Sequence, residues 1–306
     1  MKKIRIVTRN SPLALWQAKF VKQELIQAHN DIDIELIGMK TEGDRFLDSS
    51  LVNIGGKGLF VKELEEALLR NDADIAVHSM KDVVVDLPEN LILHTILKRE
   101  DSRDVLISNR HKQITALTDN TIIGTSSLRR QSQLKNLYPN VVLKDLRGNV
   151  GTRLHKLDDG EFDAIVLAAA GVIRLGMSDR ITEFFPDSHL LPAIGQGAIG
   201  IECRADDSIT QELISLLNHE ETSICVLAER AFSRRLQGGC QLPIAAYAFI
   251  EDREIILKGL VAELDGSKII KSKSSGGIND YENIGISLAD SLLDRGADEI
   301  LKKYLK

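Results

Sequence analysis

The chain has 306 residues, is 43% hydrophobic and carries a formal charge of −6, so it can bury one large core or two to three modest ones. The acidic balance argues against a general nucleic-acid or acidic-membrane binder, which would need a basic excess; any anion recognition must be local. Three widely spaced cysteines, Cys203, Cys225 and Cys240, form no Cys-x-x-Cys or Cys/His cluster, so neither a disulfide framework nor a metal site is expected.

In chain order, "IRIVT" (Ile4 to Thr8) reads as a buried strand, and Ser11-Pro12 as a helix cap with a first-turn proline. The helix that follows carries Leu13, Trp16, Phe20, Leu25 and Ala28 near one face. The polar, glycine-rich run from Glu42 to Gly58 reads as a surface loop or lid. "GLFVKELEEALLRND" predicts a second helix, then "DIAVHS" and "LILHTIL" predict strands. From "DVLIS" the pattern restarts: "TIIGT" strand, "SLRRQSQLKNL" helix, "VVLKDL" strand, a helix from Asn149, then "DAIVLA" strand. Such alternation predicts parallel sheets with helices on both faces. A weak internal echo, strand–Thr–small polar–helix in both "IRIVTRNSPLALWQ" and "TIIGTSSLRRQSQ", suggests two similar α/β lobes flanking a cleft. After "AIGIECR" a long helix, "ETSICVLAERAFSRRLQ", reaches Gly238-Gly239 as a natural stop. Strand-like runs and then helices follow, which predicts a separate C-terminal α+β domain. No stretch approaches the ~20 apolar residues of a membrane span. The amino terminus has no signal-like apolar run, so a reduced, cytoplasmic protein is expected.

Three constellations could carry chemistry. The first is cationic. "GTSSLRRQ" places Thr125, Ser126 and Ser127 at a helix start with Arg129 and Arg130 in its first turn, where they oppose the helix dipole. Hydroxyls, backbone N–H groups and guanidinium forks there suit a carboxylate or phosphate. Arg147, Arg153, Arg174 and Arg9 stand at or near comparable strand-to-helix turns. Singly each reads as a solvated surface residue; six in an acidic protein point to a polyanion site. The second is Asp82 in "HSMKD", a carboxylate at a strand end able to act as acid or base or to stabilise a cation, against a bland reading as a turn residue. His78 reads as a hydrogen-bonded packing residue. The third is Cys240, displayed after two glycines; Arg234 and Arg235 could lower its pKa if the turn folds them close. Cys203 and Cys225 read as core. "GGKG" at Gly55 to Gly58 lacks the spacing of a nucleotide-binding phosphate loop.

"TRNSPLALWQA", "GGKGLFVKELE", "DIAVHSMKD", "GTSSLRRQ", "LRGNVGTRL", "GQGAIGIECR" and "GGCQLPI" together resemble the porphobilinogen deaminase family over nearly the whole chain. The resemblance implies head-to-tail condensation of four porphobilinogen molecules with loss of ammonia. It then implies hydrolysis to a linear tetrapyrrole, on a dipyrromethane cofactor thioether-linked to Cys240. It implies Asp82 and Arg9 as catalytic residues. Cofactor contacts fall on Ser11, Lys81, Asp82, Thr125, Ser127, Arg129, Arg130, Arg147 and Gly171, and substrate contacts on Arg9, Arg147, Arg153, Arg174 and Gln196. The implied fold has two lobes like type II periplasmic-binding proteins, residues 1–97 with 198–217 and residues 98–197, plus a domain at 218–306, with two chain crossings returning near Ala198. A monomer is implied, with no nucleic-acid or membrane partner. Val84 stands where the family commonly has proline, and Asn53 and Glu42 where basic or small residues are frequent; these touch the lid and local rigidity, not the reaction. The competing reading is a cytosolic cleft protein that binds a small polyanion without chemistry.

Overall fold

The computed structural model describes residues 2–45, 61–239 and 242–304. Cys240, Asn53 and most of the 42–58 loop lie outside these residues; Glu42–Arg45 forms one helical turn. The chain folds into two compact units, one of residues 1–100 and 198–223, the other of residues 101–197 and 224–306.

The first unit is built on a five-stranded sheet. Its elements are β1 (Lys2–Arg9), α1 (Pro12–Ala28), β2 (Ile32–Met39), α2 (Lys62–Leu69), β3 (Ile75–Ser79), β4 (Leu91–Ile96), and, after the excursion through residues 101–197, β10 (Ile199–Arg204) and α6 (Ser208–Ser215). Strand order is β2-β1-β3-β10-β4. Alternation along each strand sends Ile4, Ile6, Ile75, Val77, Ile199 and Ile201 to one face, under α1 and α6. Val7 and Ala76 go to the other, under Leu64 and Leu68 of α2. Ser11 caps α1 as expected, its hydroxyl accepting from the Ala14 amide, with Pro12 in the first turn. The buried stripe of α1 is Ala14, Gln17, Ala18, Val21 and Leu25. Trp16 and Phe20 only flank it, stacked on each other at 5.3 Å, and Ala28 is exposed. The predicted face is therefore rotated in the first turns of the helix, where Ala14 and Ala18 are buried and the rings of Trp16 and Phe20 are only partly so, while Leu25 is buried as expected.

The second unit repeats this plan. It contains β5 (Asp104–Ile107), β6 (Ile122–Gly124), α3 (Leu128–Leu137), β7 (Val142–Lys144), α4 (Val150–Asp158), β8 (Ala164–Ala168), α5 (Ala169–Arg174) and β9 (Glu183–Phe184). The order is β7-β6-β8-β5-β9, position for position the same as in the first sheet. Four strands point the same way in each sheet and one opposes them: β10 is antiparallel to β3 and β4, and β5 to β8 and β9. The all-parallel expectation fails at these two strands for one reason. Each enters its sheet by a chain crossing instead of a strand–helix–strand unit, so the crossover that enforces parallel pairing is absent.

The second unit also holds α7 (Glu220–Arg235, of which Ile224 onward belongs here), β11 (Ile244–Glu251), β12 (Glu254–Ala262), β13 (Ile269–Gly277) and α8 (Tyr281–Leu292). The three strands form an antiparallel sheet. One face packs on α7 and α8 through Phe232, Ala246, Leu257, Val261 and Leu288. The stop of α7 departs from expectation. Gln237 takes the left-handed position at φ 53°, and the Gly238 amide returns to the Ser233 carbonyl at 2.8 Å. Gly238 is small for a different reason: a Cβ there would lie 2.4 Å from Ile244 Cδ1 and 2.7 Å from Ser233 Oγ. Arg235 and Arg234 are drawn to acids on α8, Asp290 at 2.7 Å and Glu282 at 3.9 Å, so both cations have carboxylate partners there.

Candidate functional site

In the first unit, β1 and β3 are adjacent and parallel, so their carboxyl ends deliver two loops side by side. The first carries Arg9, half-buried, and the capping Ser11. The second is a 3₁₀ turn, Met80–Asp82, bearing Lys81 and Asp82. The turn is held at both ends. The Met80 amide donates to the Ala198 carbonyl at 3.0 Å and the Val83 amide to the Met80 carbonyl at 3.3 Å. Gln17, buried in α1, donates from Nε2 to Ser79 Oγ at 2.8 Å and receives the Ser79 hydroxyl at Oε1. Gln17 is a supporting residue that sequence reasoning missed; a glutamine on a buried helical stripe was its signal. Asp82 is half-buried, and no hydrogen bond or ion pair among the described residues engages its carboxylate. His78 is buried as expected. Its partner is a carboxylate, Glu202 Oε2 at 2.9 Å, although the ring N–H does not align into a hydrogen bond. Burial pushes the Cys203 thiol up to about 12, and Cys225 is buried too, so neither is a nucleophile.

In the second unit, β7, β6 and β8 bring the cationic set to one edge of the sheet. Thr125, buried, donates its amide to the Lys144 carbonyl, and its hydroxyl accepts the Ser127 amide at 3.3 Å. Ser127 occupies the cap position of α3 but makes no side-chain cap bond, leaving its hydroxyl to other uses. Arg129 and Arg130 are 5% and 6% exposed, which removes both from the class of solvated surface residues. Between them lies Asp104, 0% exposed and not singled out from sequence. Arg129 Nη1 donates to Asp104 Oδ2 and to the Leu191 carbonyl, each at 2.7 Å. Arg130 donates to Asp104 Oδ1 from Nε at 3.1 Å and Nη2 at 2.8 Å, and from Nη1 to the Val166 carbonyl. Gln196 completes the cluster, donating to Asp104 Oδ1 at 2.9 Å and to the Ser102 carbonyl at 2.7 Å. Burial alone would raise the Asp104 carboxyl; the two guanidinium charges hold it well below the carboxylate range.

The cluster contains two cations and one anion, and one donor is left over. Arg129 Nε is buried without an acceptor among the described residues, on the edge of the guanidinium that presents two parallel N–H groups. The other N–H of that edge, from Nη2, reaches Gln196 Oε1 at 3.5 Å, and a carboxylate is the acceptor such an edge suits. Arg147, half-exposed at the end of β7, has no partner for its guanidinium among the described residues. It is followed by Gly148 at φ 111°, a conformation only glycine holds without strain, and by Asn149, which caps α4. Arg153 turns back to the Gly148 carbonyl at 2.8 Å. Arg174, at the end of α5, donates to the Gly197 carbonyl at 2.7 Å, and Gly171 is buried in the same helix. No group of three or more His, Cys, Asp or Glu among the described residues is arranged to hold a metal ion. No described helix is long and apolar enough to cross a membrane.

Two α/β sheets of like strand order, a buried cluster of two arginines on one aspartate, and a carboxylate with no hydrogen bond or ion pair among the described residues make up the candidate site of this α/β protein. Residues 4–212 match the family model described as the dipyrromethane cofactor binding domain of porphobilinogen deaminase, and residues 223–294 match its C-terminal domain. The chain belongs to the porphobilinogen deaminase family, the hydroxymethylbilane synthases of tetrapyrrole biosynthesis, which use a dipyrromethane cofactor. Among solved structures, it is similar to the BvgS periplasmic VFT2 domain of Bordetella pertussis, with 15% identity, 70% of this chain and 85% of that one covered and a TM-score of 0.41. It is also similar to lipoprotein Tp32 of Treponema pallidum (13% identity, 71% and 90% covered, TM-score 0.44). A putative methionine-binding lipoprotein of Bacillus subtilis matches at 12% identity, with 71% and 90% covered and a TM-score of 0.43.

Proposed function

We propose that this enzyme condenses four porphobilinogen molecules head to tail, with loss of one ammonia each, on a dipyrromethane attached through Cys240, and then releases hydroxymethylbilane by hydrolysis. The donor set suits the acetate and propionate groups of pyrroles: Ser127 Oγ lacks a cap bond, Arg129 Nε lacks an acceptor, and the amides at the start of α3 point outward from the helix. Thr125, Ser127, Arg129, Arg130, Arg147 and Gly171, with Ser11, Lys81 and Asp82, would hold the cofactor. When bound, it supplies the nucleophilic pyrrole carbon to which new units are joined. Arg9, Arg147, Arg153, Arg174 and Gln196 bind the carboxylates of incoming porphobilinogen. Asp82 accepts the pyrrole N–H and stabilises the positive charge that develops on the substrate as ammonia leaves. With no competing ion pair among the described residues, its carboxylate is available for that charge. We read residues 1–97 with 198–217, 98–197 and 218–306 as three domains; the last has its own core around Phe232, Leu257 and Leu288, which supports the division. The protein works as a cytoplasmic monomer.

The buried Arg129 Nε without an acceptor carries this reading, because a desolvated cationic donor of that kind calls for an anion. Intact-protein mass tests it. The wild type should exceed its sequence mass by two linked pyrrole units, and Cys240→Ser should lack the excess. Asp82→Ala should fold normally, yet lose about 10²–10³ of kcat, the size expected for removing one electrostatic stabiliser. An unmodified but fully active wild type overturns the cofactor linkage; normal turnover by Asp82→Ala reassigns the carboxylate.

A further inference from the structure

Beneath α2 in the first unit lie three ionisable side chains the reaction does not use. Register puts Gly200 opposite His78 and Glu202 opposite Ala76, so His78 and Glu202 share the sheet face that carries Ala76 and packs on α2. Glu65 comes down from α2 between Leu64 and Leu68. All three are more than nine-tenths buried: Glu65 7%, His78 5% and Glu202 0% exposed. Among the described residues, Glu65 Oε1, both Glu202 oxygens and His78 Nε2 have no hydrogen-bond partner. Two acids and one base cannot balance: a charge on His78, whose Nε2 is 2.9 Å from Glu202, would offset at most one of the two carboxylates. An unpaired buried carboxylate is far costlier than the neutral acid.

We propose that Glu65 is held as a protonated acid beside the His78–Glu202 pair, and that this proton positions the Met80–Asp82 turn for the reaction. The path is short. His78 lies on β3 two residues before Met80, which opens the turn, and Met80 packs over Gly200 so closely that a Cβ there would meet Met80 Sδ at 2.2 Å. Gly200 is two residues from Glu202 on β10, and the Met80 amide is bound to Ala198 just before that strand. A second anion at Glu65 would compete for His78 and disturb the strand end from which Lys81 and Asp82 project. The charged groups acting on Glu65 are Glu202 from β10 and His78 from β3, while β1 and β4 meet α2 through Val7 and Leu91. Burial first, and then the Glu202 charge, push the Glu65 carboxyl up to about 7, with His78 opposing. When Glu65 ionises, its proton passes to solvent and nothing else changes hands. Glu65, His78 and Glu202 are positioning residues, because none touches the reacting atoms.

This inference rests on Asp82 as the reaction's carboxylate, and the test separates the two. Turnover and hydrogen exchange of the Met80–Asp82 segment, corrected for intrinsic rates, are measured on the holoenzyme at about pH 6 and about pH 8. The wild type should lose about tenfold in kcat across that interval, as one ionisation near its midpoint requires, with KM unchanged. Protection of the segment should fall in parallel. Glu65→Gln, a neutral isostere of the acid, should abolish both steps. Glu202→Gln, which removes the neighbouring charge, should move them to lower pH and serves if the first variant does not fold. Persistence of the steps in Glu65→Gln, an unmoved midpoint in Glu202→Gln, or their absence from the wild type overturns the proposal. Exchange needs no substrate. A chain that shows the exchange step but does not consume porphobilinogen sinks the assigned reaction and leaves the proton site standing.

Discussion

Arg130 and Arg147 belong to the same cationic set but differ in what they are tied to. Arg130 is 6% exposed and bound to Asp104 and Val166, whereas the Arg147 guanidinium has no partner among the described residues. Arg130→Ala takes one of two guanidiniums from a buried carboxylate and should cost about 3–5 kcal/mol of stability, read by denaturant unfolding. Arg147→Ala should stay within about 0.5 kcal/mol of wild type. It should raise KM roughly tenfold or more, the worth of a lost hydrogen bond to a charged group. Equal stability of the two variants would mean that the Asp104 cluster does not fix the arginine pair. The cluster's pH behaviour has a definite sign. Asp104 is depressed below its ordinary value, so the stability it contributes is present above the unfolded value of ~3.9 and is lost as pH falls below it. The sequence made Arg129 and Arg130 conspicuous because they oppose the helix dipole, but Asp104 was silent. The aspartate that ends "REDSRD" and opens a strand resembles any turn residue, and only the fold sets it 2.7–2.8 Å from guanidiniums some 25 positions away.

At the scale of elements, the two glycines before Cys240 divide the work at the end of α7. Turn rules assign the left-handed stop to glycine, yet Gln237 occupies it and Gly238 is required for close packing on Ile244 and Ser233. Gly239 has nothing within 4 Å of where a Cβ would stand. Gly238→Ala should therefore lose about 1–3 kcal/mol, an overpacking cost, and should disturb the chain leading to Cys240, lowering the fraction of protein that carries the two-pyrrole mass excess. Gly239→Ala should match wild type in Tm and in pyrrole loading. The reverse order would place the tight contact on the wrong residue. The rotated face of α1 has a related cause. Hydrophobicity ranks Trp16 and Phe20 above Ala14 and Ala18, but a helix lying close to a sheet puts its smallest residues at the contact. Periodicity located the helix; it could not tell packing distance.

For the whole molecule, strand order decides which pieces can stand alone. The sequence revealed the alternation of strands and helices, and the resemblance implied crossings with a return near Ala198. Periodicity carries no information on where a returning strand inserts. β10 enters the interior of the first sheet, between β3 and β4, so residues 1–100 alone would leave two unpaired strand edges where a central strand belongs. All five strands of the second sheet, β5 to β9, lie within residues 101–197, as do Asp104, Arg129, Arg130, Gln133, Leu191 and Gln196 of the buried cluster. An isolated 101–197 fragment should thus show α/β circular dichroism and unfold cooperatively in urea. Residues 1–100 should show neither until 198–223 is joined to them through a flexible linker replacing the excised stretch. Cooperative folding of 1–100 by itself would mean that β10 does not complete the sheet that supports Arg9 and Asp82. The two catalytic candidates would then owe their placement to local turns alone.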